Sequence, residues 1–363
     1  MVLKIVEGKT KLLVYQGKIT KKLPVFFNSE KEFDRTLSVL FLKSFKEVFG
    51  KKLIVLDLLC AGGARGIRLL NESNAVEELF LNDMNSNAID LAKKNLRLNG
   101  LRARTSNSEA NKFLINVKQY FDFIDIDPFG SCNPFLENSI RKLRNKGVIA
   151  VTVTDCGALY GTYPKAGLRK YHSITKKIPF SHELGLRVLA KHVIEKGAEQ
   201  EVALKPILSH KTRHYFRMYF QARKGASRVD DLLKEIKFLA FNKETMSARL
   251  IEKNFCVKNK EILLGPLFAG TLQENKILNL MIKNSDDEKI TRFLKVLLAE
   301  NTVKSVGFFE LPLIAKKLHK NVCKIDNLIK KLESKGFKAS RTHISGQGIK
   351  TNAPIEEIIK CFN

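Results

Sequence analysis

Between residues 53 and 223 short apolar runs rich in Val, Ile, Leu and Phe alternate with amphipathic stretches, the rhythm of consecutive parallel βα units. The pattern predicts strands over 53–59, 78–82, 102–105, 121–127, 147–154, 201–209 and 215–223, with helices over 85–98 and 182–195. Only residues 210–214 separate the last two strands. So short a link demands a hairpin, so the seventh strand runs antiparallel to the sixth. Seven strands on this spacing make a doubly wound α/β sheet with an antiparallel last strand.

An N-terminal extension precedes the sheet, carrying Phe26-Phe27-Asn28 and helical spacing over 32–49. Residues 224–275 show no clear fold signature. Further on, 310–320 and 324–335 read as two short amphipathic helices separated by Asn321-Val322-Cys323. An extended segment over 336–351 follows, turning at Ser345-Gly346-Gln347-Gly348. Helix, turn, helix and hairpin suggest a winged helix, an α+β fold used mostly on nucleic acid. The expected organisation is therefore two domains, 1–225 and 226–363, the second winged-helix-like from about residue 276.

Charge sharpens this reading. The chain has 363 residues with Lys+Arg 64 against Asp+Glu 37, a formal charge of +27. Both halves share the excess, which favours a polyanionic partner touching both, nucleic acid before any membrane surface. No apolar run approaches the ~20 residues that span a bilayer, and Met1-Val2-Leu3-Lys4 lacks the apolar core of a secretory signal, so a cytoplasmic location is expected. The cysteines at 60, 132, 156, 256, 323 and 361 include no C-x-x-C pair, so neither a zinc knuckle nor a redox pair is expected.

The chemistry is written at strand ends. The first strand closes on Asp57 and runs into Cys60-Ala61-Gly62-Gly63-Ala64-Arg65-Gly66, small residues that let the chain turn and a ligand lie against bare backbone. Asp83 ends the second strand about 20 residues later, placed to hold the ribose hydroxyls of a nucleoside cofactor. A dinucleotide would require the G-x-G-x-x-G spacing, which glycines 62, 63 and 66 do not give. A nucleoside without phosphates, such as S-adenosylmethionine, does not need it. The fourth strand ends in Asp127-Pro128-Phe129-Gly130, a sequence suited to methylating an exocyclic amine. The carboxylate of Asp127 accepts one N–H of a poorly nucleophilic amine and stabilises the cation formed as the methyl arrives. Pro128 has no N–H and leaves its carbonyl as a second acceptor. Phe129 offers a face on which a base can stack.

Longer runs extend the picture: Thr152-Val153-Thr154-Asp155, Tyr163-Pro164-Lys165-Ala166-Gly167-Leu168-Arg169-Lys170-Tyr171, His182-Glu183-Leu184-Gly185-Leu186-Arg187 and His214-Tyr215-Phe216-Arg217. With Glu7-Gly8-Lys9, Val25-Phe26-Phe27-Asn28, Asp34-Arg35, and Ala339-Ser340-Arg341-Thr342-His343 and Gly348-Ile349-Lys350-Thr351 near the C-terminus, the chain resembles the tRNA guanine-26 N2-dimethyltransferases over nearly its whole length. The resemblance implies a Rossmann-like methyltransferase sheet that binds S-adenosylmethionine through Arg35, Asp57, Gly62, Arg65, Asp83, Glu109 and Ala110. It implies catalysis by Asp127, with Pro128, and a target guanine sandwiched between Phe27 and Phe129. Two departures stand out. Glu109 replaces an Asp common in relatives, and the 224–270 region has only Cys256 where many carry two C-x-x-C pairs, so no metal is expected. tRNA would be held through shape and phosphates, by lysines of the C-terminal unit such as Lys316, Lys320, Lys330 and Lys335, with Arg341 and His343 on the wing. Two other readings fit the residues: another base-amine methyltransferase, acting on rRNA guanine N2 or adenine N6, and a catalytically idle RNA-binding protein.

Overall fold

The computed structural model describes residues 2–15, 17, 23–252 and 257–362. A hairpin of β1 (Val2–Glu7) and β2 (Thr10–Tyr15) leads through a 3-10 turn at Ser29–Lys31 into α1 (Glu32–Phe49). The main sheet then builds from β3 (Leu53–Asp57), α2 (Ala64–Glu72), β4 (Val76–Asp83), α3 (Ser86–Leu98), β5 (Arg104–Asn107), α4 (Ala110–Asn116), β6 (Phe121–Ile126), α5 (Asn133–Arg141) and β7 (Leu143–Val153). After α6 (Pro164–Tyr171) and α7 (Ser181–Ala198) come β8 (Val202–Thr212) and β9 (Tyr215–Lys224). The seven strands lie in the order β5-β4-β3-β6-β7-β9-β8. All neighbours are parallel except β9, which is antiparallel to both β7 and β8.

This is the expected doubly wound sheet with its one reversed strand. The final hairpin is tighter than the pattern suggested. Strand β8 keeps pairing to Thr212, leaving only Arg213 and His214 as the turn, with Arg213 at φ 49°.

Side chains alternate across each strand, so the sheet has two apolar faces. Val55, Phe123, Val148, Ala150 and Tyr219 join residues of α1, α2 and α3 in one buried cluster. Leu56, Ile124, Ile149, Val151, Met218 and Phe220 face the other way, against α4, α5 and α7. Residues after 225 contribute to both. Ile277, Leu278, Met281, Ile290, Leu294 and Leu297, on α9 (Asn275–Lys283) and α10 (Glu288–Thr302), sit in the first cluster. The 224–275 segment, silent in the sequence, folds as α8 (Ala226–Leu233) and a three-stranded antiparallel sheet of β10 (Ile236–Asn242), β11 (Ala248–Ile251) and β12 (Glu261–Phe268). Its Leu239, Phe241, Leu264 and Leu267 enter the second cluster.

The C-terminal unit has its own small core. It comprises β13 (Phe309–Glu310), α11 (Leu311–Leu318), α12 (Ile325–Ser334), β14 (Ala339–Arg341), β15 (Gly348–Thr351) and α13 (Ile355–Cys361), packed around Leu311, Ile314, Leu328, Leu332 and Ile358. With α10 leading in and the sheet ordered β13-β15-β14, this is winged-helix connectivity. Phe308 and Ile344 pack into the core under the sheet, and buried ion pairs join the unit to α7 and α10. Lys350 Nζ donates to both oxygens of Glu183 on α7 at 2.7 and 2.8 Å, and Thr342 and His343 bind Glu300 on α10 at 2.8 and 2.6 Å.

Candidate active site

A cleft of about 660 Å3 opens at the carboxyl ends of β3, β4 and β6, where open α/β sheets hold ligands. Its floor is the turn after β3. Ala61 and Gly63 there take positive φ, 47° and 78°, so the chain bends within two residues and starts α2 beneath the cleft. Gly66 is glycine because of packing: a Cβ would lie 2.5 Å from the Leu81 side chain and hold α2 off the sheet. Asp83, ending β4, accepts from the Ala61 amide at 2.8 Å through one oxygen and from the Asn85 amide at 2.9 Å through the other. Each oxygen keeps acceptor capacity toward the cleft. Asn95 of α3 ties the N-terminal hairpin to this turn. It pairs with the backbone of Leu13 and donates to the Gly62 carbonyl at 2.9 Å, so Leu13, Val14 and Val25 wall the cleft.

At the other end lies the turn after β6. The Gly130 amide donates to Thr154 Oγ1 at 2.8 Å, and the Thr154 amide donates back to the Gly130 carbonyl at 3.0 Å, pinning the turn to the end of β7. Pro128 is buried beneath the rim, and Phe129 stands 57% exposed at the cleft mouth. Asp127 is held by two cations. Lys31 Nζ donates to Oδ1 at 2.6 Å and Arg65 Nη2 to Oδ2 at 2.7 Å. Burial pushes this carboxyl up, but Lys31, Arg65 and Arg217 together outweigh it and hold it far below the usual carboxylate range. Asp127 is an ionised acceptor at any working pH.

Beneath it, ionisable groups are buried in mutual contact. Arg65 also donates to Asp34 Oδ2 and Ser38 Oγ, both at 2.7 Å. Arg217 pairs with Asp125 through both Nη atoms and donates to Thr152 Oγ1 at 2.9 Å. For Asp34, burial is outweighed by Arg65, Arg217 and His210, and its carboxyl falls to about 2. Asp57 goes the opposite way. Burial and the neighbouring Asp125 carboxylate push it up to about 7, against Arg65 and the Gly66 amide that donates to it at 3.0 Å.

Most of the sequence-derived site residues meet in this cleft: Phe27, Arg35, Asp57, Gly62, Arg65, Asp83, Asp127, Pro128 and Phe129 all line it or sit in its turns. Some do so differently from the reading above. The Arg65 guanidinium is committed to Asp34, Ser38 and Asp127. Arg35 is committed to Glu7, at 2.6 and 2.5 Å, and lies over the Phe27 ring at 4.9 Å. Phe129 packs edge-on against Phe26, centroids 4.6 Å apart. Glu109 and Ala110 do not line the cleft. The Glu109 carboxylate instead caps α4, accepting from the amides of Asn111 and Lys112 at 3.0 and 2.8 Å. The sequence reading missed Lys31, Asp34 and Arg217 as parts of the site. Asp34 and Arg217 lie inside family-like runs, but Lys31 carries no motif at all. Among the described residues no group of three or more His, Cys, Asp or Glu is arranged to hold a metal, and Cys256 lies outside them.

The family model for N2,N2-dimethylguanosine tRNA methyltransferase matches residues 4–363. The chain belongs to this family. It is 35% identical to the tRNA (guanine(26)-N(2))-dimethyltransferase of Methanothermobacter thermautotrophicus over 94% of this chain and 93% of that one. It is 33% identical to the tRNA (guanine(26)-N(2)/guanine(27)-N(2))-dimethyltransferase of Aquifex aeolicus, covering 98% and 94%. Among solved structures, Trm1 from Pyrococcus horikoshii in complex with S-adenosyl-L-methionine superposes with a TM-score of 0.89 at 30% identity, covering 99% of this chain and all of that one. The glycine turn with Asp83 and the Asp127–Gly130 turn form the two ends of the cleft. No described helix is long and apolar enough to cross a membrane.

Proposed function

We propose that the chain transfers methyl groups from S-adenosylmethionine to the exocyclic N2 amine of guanine 26 in tRNA, in the cytoplasm. The observation that carries this reading is the ionised Asp127, fixed by Lys31 and Arg65 beside an exposed Phe129 and across the cleft from the Asp83 cradle. The cradle suits the cofactor. Asp83 would hold the ribose hydroxyls, the backbone of Ala61 and Gly62 would carry the nucleoside, and the apolar wall of Leu13, Val25 and Leu91 would enclose the adenine side. When bound, S-adenosylmethionine supplies an electrophilic methyl group.

The remaining work falls to this chain's own residues. The base must leave its helix to reach the cleft. Stacking on Phe129 contributes roughly 1–3 kcal/mol toward holding it there. Asp127 accepts one N–H of the amine, which aligns the nitrogen lone pair and stabilises the positive charge that develops on it. The alkylated nitrogen then gives up one proton through the same hydrogen bond. Arg65 and Arg217 disfavour the protonated form of Asp127, so the proton passes on to water and the carboxylate is restored for a second transfer.

The test is nucleoside mass spectrometry of tRNA transcripts incubated with the protein and S-adenosylmethionine. N2-methylated and N2,N2-dimethylated guanosine should appear in a transcript with guanine at position 26 and be absent when that guanine is adenine. Equal transfer to rRNA fragments, or to adenine N6, would show that the substrate has been misassigned.

A further inference from the structure

The two cations on Asp127 are not equivalent. Arg65 is nearly buried, and its guanidinium also serves Asp34 and Ser38, so it is fixed from three sides. Among the described residues Lys31 has a single carboxylate partner, Oδ1 of Asp127, and it lies 5.3 Å from the centre of the Tyr215 ring. It belongs to the short 3-10 turn Ser29–Lys31, next to Asn28 and Phe27 at the cleft wall. A lysine side chain has four rotatable bonds and can swing without moving the backbone. Of the two oxygens, Oδ2 is therefore held by a fixed partner and Oδ1 by a movable one.

Chemistry makes the movable partner a problem during methyl transfer. An amine bonded to Oδ1 becomes cationic as the methyl arrives. An ammonium on that same oxygen would stand within about 5 Å of it, in a partly water-excluded cleft where like charges repel strongly. It would also draw electron density from the oxygen meant to stabilise that charge. An incoming nucleotide, however, brings a phosphate as an alternative partner for the ammonium.

Taking the proposed tRNA methylation as given, we infer that Lys31 is a positioning residue that guards Asp127, occupying Oδ1 in the RNA-free protein and moving to a backbone phosphate of the extruded nucleotide as the guanine amine takes its place. Delivery of the base and exposure of the acceptor then become a single event. The Tyr215 ring gives the ammonium an intermediate resting place.

The experiment compares the wild type with Lys31→Met and Lys31→Arg on the same tRNA transcript across a salt series, with a thermal melt to check folding. In Lys31→Met the loss should fall mainly on KM for tRNA, about tenfold. The slope of log affinity against log salt should become shallower by about one, the signature of one lost phosphate contact. Lys31→Arg should restore the slope. If instead the loss in Lys31→Met lies in kcat, with KM and salt slope as in the wild type, Lys31 stays on Asp127 throughout turnover and the inference is overturned. A folded Lys31→Arg that leaves the slope as shallow as Lys31→Met would also overturn it. A wild type that fails to methylate tRNA in this assay would remove the functional reading itself, and the guard with it.

Discussion

A buried carboxylate held well below its usual range by Lys31 and Arg65 is costly to build, and the proposed chemistry gives Asp127 a use for it. Asp127→Ala is expected to lose at least ~100-fold in kcat while still binding tRNA, because the acceptor is gone and the RNA-facing surface is not. Single-turnover kinetics with a parallel filter-binding titration measure both, and near-wild-type turnover would remove the assignment. Asp34 supports a separate expectation. Its folded pKa, about 2, lies below the unfolded value, so it contributes about 2 kcal/mol of stability that is present above pH 4 and lost as pH falls toward 2. Urea titrations between pH 6 and 2.5 should show that loss, and Asp34→Asn should flatten the acid limb; an unchanged limb would deny Asp34 this role. Asp127 and Asp83 could be found in the sequence because they end strands, where the fold puts ligands. The pairing of Asp127 with its two cations could not: the sequence singles out Arg65 only for the cofactor and Lys31 not at all, since they lie 62 and 96 positions away and no local pattern records such a distance.

Helices and strands were readable wherever one face is buried over several turns or residues. Strand β6 is buried along its whole length, with Phe121, Phe123, Ile124 and Ile126 marking it, and α3 begins at an asparagine whose side chain accepts from Asn87 N. The small sheet of β10, β11 and β12 escaped because its burial does not alternate: Leu239, Ala240 and Phe241 are buried in a row on β10, and Gly265-Pro266 interrupts the apolar run of β12. Glu109 carries a different ambiguity. An acid just before a helix can serve a ligand or the helix's own first amides, and here the amides hold it. The winged helix is fastened to α7 by Lys350 on β15, which is buried against Glu183. Burial alone would raise the Glu183 carboxyl, but Lys350 and Arg187 bring it down to about 2. Lys350→Met should therefore destabilise the protein by about 3 kcal/mol, through the carboxylate left short of a partner. It should also speed limited proteolysis of the C-terminal unit more than that of the sheet. Uniform protection of both parts in the variant would mean that the fastening lies elsewhere.

Across the chain, the surplus of positive charge and the shared cores make different demands. Deleting residues from 276 onward removes six apolar side chains of α9 and α10 from the cluster that α1 and the sheet also occupy. That truncation is expected to abolish S-adenosylmethionine binding as well as tRNA binding; calorimetry showing wild-type cofactor affinity would mean the sheet stands without them. Exhaustive chelation should leave activity intact, and stoichiometric zinc with loss of folding would contradict this. The position of β9 bears on how the molecule comes into being. The strand that completes the sheet is its last in sequence, yet it lies between β7 and β8 rather than at an edge. On the ribosome, every residue from Asp57 to Asp127 and all of β7 emerge before β9, so for a time β7 presents an open hydrogen-bonding edge and Asp125 has no Arg217 to neutralise it. A nascent chain halted before residue 215 would hold the cradle and the reacting carboxylate but be a sticky, electrostatically frustrated intermediate. Synthesis must run past β9 before the sheet can close, so premature termination should yield aggregates rather than a minimal enzyme.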